Sequence, residues 1–192
     1  MKRWLPNSTK KAFSLPELLV SLVLVSFVMV ALIGLLREAV RFYSDQSVSL
    51  EVQKNVVVAM QKLAKELRES SPLSVGQGDK SITFASPRDA NDQVIYDNGE
   101  LMWQKYIKFS VQEIDGSSVL LRSVQPLADP MADPPSAVDA VFAIDAPSSV
   151  QARYIEDLRV KMRANSAELE IEAAFGDDVF RMILNTEVKL QN

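Results

Sequence analysis

The sequence predicts an α+β protein: one long N-terminal helix, membrane-length in its first half and amphipathic in its second, packed on an antiparallel β-sheet head. Three observations carry that prediction. No residue from Leu18 to Leu36 is charged. Further on, Val48, Val52, Val56, Met60, Leu63 and Leu67 recur at three- or four-residue steps, which puts them on one side of a helix. Beyond Pro72 the apolar period falls to two, the period of a half-buried strand.

Residues 1–12 make a basic leader, with Lys2, Arg3, Lys10 and Lys11 and no acid. Residues 13–36 make the membrane segment. As a helix, Leu18–Leu36 would rise about 28 Å, close to the roughly 30 Å of a hydrocarbon core. A cleaved secretory signal fits less well, because the run exceeds the roughly 7–15 residues of such a core and no small-x-small site follows it. A buried core helix would carry a polar face, whereas only Ser21, Ser26 and Gly34 interrupt this run. The leader is purely basic, while Arg37 and Arg41 sit beside Glu38 and Asp45. The positive-inside rule therefore keeps the N-terminus cytoplasmic and puts the head outside.

Residues 37–71 continue the helix. Lys62 with Glu66 and Lys65 with Glu69 have helix-pair spacing, which predicts a solvated face laced by i,i+4 ion pairs. Ser70-Ser71-Pro72 is the stop. A helix from Leu15 to that point would be about 85 Å long. Val57 and Val58 widen the apolar stripe, and either pack beneath the sheet or offer another subunit's helix a docking face.

Residues 72–192 form the β-rich head. Leu101, Trp103, Ile107, Phe109 and Val111 keep to odd positions with Lys105 interrupting, and Leu158, Val160 and Met162 alternate likewise. Leu169, Ile171, Ala173 and Phe175 form another alternating run, and Phe180 to Leu190 a last one. Gly176-Asp177-Asp178 joins these two runs as a predicted hairpin. One face of the sheet should meet the Val48–Leu67 stripe. Residues 126–140, with four prolines and Ala-Asp-Pro twice, read as an exposed loop.

Several function classes are excluded at once. The chain has no cysteine and no histidine, which removes thiol nucleophiles, serine–histidine relays, Cys/His zinc sites and disulfides. Net charge is −4 although the leader is purely basic, so the remainder is acidic and nucleic-acid binding is not expected. No glycine loop could cradle a phosphate. Asp89, Asn91, Asp92 and Asp97 lack the spacing of an EF-hand and read as turn residues. Trp103 and Tyr106 fall on opposite strand faces, core and surface respectively. No cofactor, metal site or catalytic constellation is expected.

Glu17 is the residue that demands explanation. Ser14-Leu15-Pro16-Glu17 fits a capping box, and proline in the first turn costs nothing there. The alternative is that the carboxylate needs a cation, since an unpaired charge beside hydrocarbon costs a few kcal/mol. None stands at helix-neighbour spacing. A cut before Phe13 would supply one, an α-amino group four residues away.

Lys10-Lys11-Ala12-Phe13-Ser14-Leu15-Pro16-Glu17 and the apolar run behind it resemble the prepilin signal of type IV pilins and type II secretion pseudopilins. That resemblance implies cleavage between Ala12 and Phe13 by prepilin peptidase, which follows the basic Lys10-Lys11 leader, and N-methylation of Phe13. It implies that Glu17 brings subunits into register. The partners would be other minor and major subunits at the inner membrane, in a short filament. Two positions depart: the family usually has glycine where Ala12 stands, and more often an aliphatic residue at Pro16. The extended helix, β-rich head and absence of cysteine resemble a J-type minor pseudopilin or its type IV pilus equivalent, a non-catalytic tip or priming subunit. A membrane-anchored exported enzyme or binding protein outside any filament is the competing expectation.

Overall fold

A computed structural model of the chain describes residues 14–137, 140–143, 146–175 and 180–190. The backbone divides into two units, one ending at Ser47 and one beginning at Val48. Helix α1, Leu15–Arg68, contributes to both.

In the first unit α1 is the only described element, and every large apolar side chain from Leu15 to Leu36 is 48–76% exposed. Ser21 and Ser26 do not roughen this surface, because their hydroxyls donate to the carbonyls of Glu17 and Leu22, both at 2.8 Å. Back-bonding of that kind satisfies a hydroxyl where no water is available.

The second unit begins with the buried side of α1: Val52, Val56, Ala59, Met60, Leu63 and Leu67. The stop expected at Ser70-Ser71-Pro72 is observed. Ser70 closes the last turn by bonding the Leu67 carbonyl through both its amide, at 3.0 Å, and its hydroxyl, at 2.7 Å. Ser71 then caps a 3-10 turn over Pro72–Ser74.

Among the described residues ten strands follow: β1 Val75–Gly78, β2 Ser81–Ser86, β3 Tyr96–Asp97, β4 Glu100–Leu101, β5 Trp103–Ile114, β6 Ser117–Met131, β7 Ser148–Arg153, β8 Ile155–Arg163, β9 Ser166–Phe175 and β10 Phe180–Lys189. Their pairings among the described residues are antiparallel, as expected, but they make two main sheets and not one. The first is ordered β1-β2-β5-β6-β7 and the second β10-β9-β8, with β3-β4 a separate hairpin. Tyr154 is the corner between the two main sheets. Its φ is +66°, its amide donates to Ser118 in β6 at 2.7 Å, and its carbonyl accepts from Ala174 in β9 at 3.1 Å. Its ring meets Phe175 edge-on, 5.1 Å between centroids.

The α1 stripe joins Ile82, Phe84, Ile107 and Phe109 of the first sheet and Ile155, Leu158, Leu169 and Ile171 of the second in one core. The β9–β10 hairpin pairs from Phe180↔Phe175 to Lys189↔Ser166, while its expected turn residues, Gly176 to Asp178, lie outside the described residues.

One loop expectation is corrected. Residues 126–131 are not loop but the end of β6, which runs to Met131 and pairs it with Trp103 after a register shift between Trp103 and Lys105. β7 pairs only with residues from Val119 to Ser123, so Pro126 and Pro130 lie past its reach, along an edge where a missing amide breaks no ladder.

Candidate functional site

The candidate site is the head of α1. Glu17 lies in its first turn, and one carboxylate oxygen accepts from the Ser14 amide at 3.0 Å and the Ser14 hydroxyl at 2.9 Å. Half of the capping box is thus formed as expected. The serine half differs, since the hydroxyl donates to the carboxylate instead of accepting from a helix amide. The carboxylate is held at the mouth of the apolar run by two hydrogen bonds within one turn, and among the described residues no cation pairs with it. Ala12, Phe13, Lys10 and Lys11 lie outside the described residues.

The apolar run behind Glu17 reaches a mean hydropathy of 2.9 over an 18-residue window, none of it buried within the chain. Full burial is worth about 1.5–3 kcal/mol per large side chain. The run is long and apolar enough to cross a membrane.

Val57 and Val58 are 37% and 36% exposed. The expectation that they pack beneath the sheet is therefore corrected: they sit one position past the buried Val56 and one before the buried Ala59, on the shoulder of the stripe. They remain available to a partner.

The i,i+4 ion pairs predicted along α1 are also corrected. Glu69 turns away from Lys65 and takes Arg88 in two parallel bonds of 2.6 and 2.7 Å. Glu66 turns away from Lys62 and takes Arg122 at 2.9 Å, while Lys62 donates to Gln151 of β7 at 3.1 Å. At Glu69 the planar guanidinium fork explains the preference, because it offers a carboxylate two fixed donors where an ammonium offers a point charge, whereas Arg122 spans both Glu66 oxygens with Nε alone, at 2.9 and 3.0 Å. These bonds hold the last turns of α1 on the first sheet. Nothing in the sequence reports them, since Glu69 and Arg88 are joined only by the tertiary fold.

Asp89, Asn91 and Asp92 lie in a turn, as expected. Asp89 accepts the amides of Asn91 and Gln93 at 2.8 and 2.9 Å. Those bonds, the Gln93 amide foremost, hold its carboxyl below the usual carboxylate value. Arg88 clips the far side of the loop through the Asp92 carbonyl, and Lys105 donates to the Asp89 carbonyl at 2.9 Å. Desolvation, then the nearby Arg122, hold the Lys105 ammonium below its ordinary value. Asp97 stands apart, in the β3–β4 hairpin whose Asn98-Gly99 turn has φ of +51° and +87°. Asn-Gly is the expected composition for such a turn, and it was the legible signal for this hairpin. Among the described residues no three Asp or Glu side chains could hold a metal ion. Trp103 is core, 4% exposed, and Tyr106 is half-buried with its hydroxyl donating to the Ser136 carbonyl at 3.1 Å.

Residues 7–33 match the family model of the prokaryotic N-terminal methylation motif. The matched segment contains Glu17, its cap and most of the exposed apolar run. It marks the N-terminus as a prepilin-type signal, of the kind that prepilin peptidase processes, and supports a type IV pilin-like architecture of helix on antiparallel sheet. No curated protein and no solved structure matches the chain.

Proposed function

We propose that this chain is a non-catalytic minor subunit of a type IV pilus or of a type II secretion pseudopilus. It inserts in the inner membrane with its leader cytoplasmic, is cut between Ala12 and Phe13, is methylated on Phe13, and joins other major and minor subunits in a tip or priming complex. The single observation that carries the reading is the placement of the methylation motif on a bare apolar helix whose only early charge is Glu17. In that setting the new α-amino group of a neighbouring chain is the cation that Glu17 lacks. A J-type position in the assembly is the finer reading, supported by the long helix, the β-rich head and the cysteine-free sequence.

The test is intact-mass spectrometry of the protein from its native membrane, beside a Glu17→Ala variant. The expected N-terminus is Phe13 with one added methyl group. The variant should still insert and be cleaved, yet be absent from sheared filaments. A chain that begins at Met1, or a variant that assembles normally, would overturn the proposal and leave a membrane-anchored exported protein whose Glu17 is a cap.

A further inference from the structure

Among the described residues β10 is the sheet edge left unprotected. In the first sheet the edge strands are short, four residues in β1 and six in β7. The β8 edge is irregular, with a register shift between Ile155 and Asp157 and the Glu156 carbonyl taken by the Lys80 ammonium at 2.9 Å. β10 runs ten residues without proline, pairs with β9 without a register shift, and carries its one lysine, Lys189, at its end. Native proteins shorten, bend or charge such edges, because an unpaired row of amides and carbonyls takes up any strand that fits it.

The phase of the ladder tells which backbone groups face outward. Leu190 donates its amide to the Asn165 carbonyl at 3.1 Å, while Ala174, which stands opposite Arg181, donates away from β10 to the Tyr154 carbonyl at 3.1 Å. Bonded and non-bonded pairs alternate along an antiparallel ladder. The even residues of β10 therefore serve β9, and Arg181, Ile183, Asn185 and Glu187 turn amide and carbonyl to the open side. The side chains are equally incomplete. Met182 and Leu184, on the core face, are only half-buried. On the other face Glu187 stands opposite Glu168, a like-charge pair that costs stability. Glu168 takes Arg163 and Glu187 accepts the Ser166 hydroxyl at 2.7 Å, but no cation reaches Glu187 among the described residues. Arg181 binds Glu172 and keeps Nη1 without an acceptor among the same residues.

We propose that β10 takes up, antiparallel, an extended segment of a different chain on the head's side of the membrane, one that sets a basic residue against Glu187, an apolar residue against Leu184 and an acidic residue against Arg181. Backbone bonds supply the affinity, and the alternate side chains choose the partner. A second copy of this chain is not that partner. Two copies joined β10 to β10 are related by a two-fold axis perpendicular to the sheet, which sends the two chains out of their heads at Val48 in opposite directions, whereas both enter one membrane from one side. That exclusion rests on the proposed membrane insertion. The strand addition itself does not, because neither Glu17 nor Phe13 takes part in it.

The probe is an amidated peptide with an N-terminal fluorescein and the sequence of residues 180–189, which in antiparallel register about Leu184 sets its own Arg181 on Glu187, its Leu184 on Leu184 and its Glu187 on Arg181. A free peptide has no anchor, so the direction that bars a second copy does not bar it. Titrated with the detergent-solubilised full chain, it should show a saturable rise in anisotropy. N-methylation at its Ile183 and Asn185, whose amides face β10 in that register, should weaken binding by about tenfold or more, whereas N-methylation at its Met182 and Leu184 should change it by less than about twofold. Exchanging its arginine and glutamate should weaken it about fivefold. In the chain, Ile183→Pro removes an amide that serves no β9 bond, so binding should be lost with the Trp103 unfolding midpoint unchanged. The N-methylated peptides decide even if that variant fails to fold, because they leave the chain unaltered. No saturable binding, equal binding of the two N-methylated peptides, or binding that survives Ile183→Pro would overturn the proposal, and so would a dimer of the chain alone that Ile183→Pro dissolves. A chain found to begin at Met1 would leave these results as they are and overturn only the proposed processing.

Discussion

The link between the end of α1 and the loop that follows β2 can be measured by removing Arg88. Its guanidinium binds Glu69 at 2.6 and 2.7 Å, and the two side chains are only 23% and 24% exposed. Charge-assisted hydrogen bonds contribute about 1.5–3 kcal/mol when buried. Partial exposure discounts the pair, so the coupling of Glu69 to Arg88 should be about 1–2 kcal/mol. Arg88→Ala should cost somewhat more, about 2–3 kcal/mol, because it also frees the Asp92 carbonyl and its carboxylate, 3.6 Å away. The assay is a double-mutant cycle of Arg88→Ala and Glu69→Ala by denaturant titration of the detergent-solubilised chain, followed through the fluorescence of the buried Trp103. Lys65→Ala is the control. The i,i+4 pairing read from sequence would make it couple to Glu69, whereas here it should shift stability by less than about 0.5 kcal/mol. Coupling of Glu69 to Lys65 larger than to Arg88 would refute the argument.

Two further outcomes follow from the same geometry. Leu63→Ala, at a fully buried position where the helix meets both sheets, should cost about 2–5 kcal/mol in the same titration. Lys105 binds its proton less tightly in the folded chain than in the unfolded one, so the unfolded state holds more protons between its lowered value and the ordinary 10.5. Stability should rise with pH through that window relative to Lys105→Gln, in which the difference disappears; a flat difference between the two proteins would mean the ammonium is solvated.

The anchor, the helix stop and the strand alternation were legible because each is a local property. An uncharged run announces its phase whatever the head does, Ser70-Ser71-Pro72 ends a helix through its own backbone bonds, and a period of two or of 3.6 is written into neighbouring residues. The motif around Glu17 was legible for the same reason. The two hairpin turns at Asn98-Gly99 and Asp115-Gly116, with φ of +51° and +87° and of +52° and +70°, were equally local signals, although the strand reading passed over them.

Only the tertiary structure decided which partner each charge takes, where one sheet becomes two, and which apolar residues stay bare. Glu66 and Glu69 had lysines at the right spacing, yet the fold brings Arg122 and Arg88 from 56 and 19 residues away, and at Glu69 a two-donor guanidinium fork outcompetes a flexible ammonium. Tyr154 divides the strands because its left-handed backbone serves β6 with its amide and β9 with its carbonyl, a choice made by two strands that lie far apart in sequence from each other. Val57 and Val58 look like core by composition. They are exposed because the head offers α1 one face of contact, and a helix turning 100° per residue carries their side chains past it.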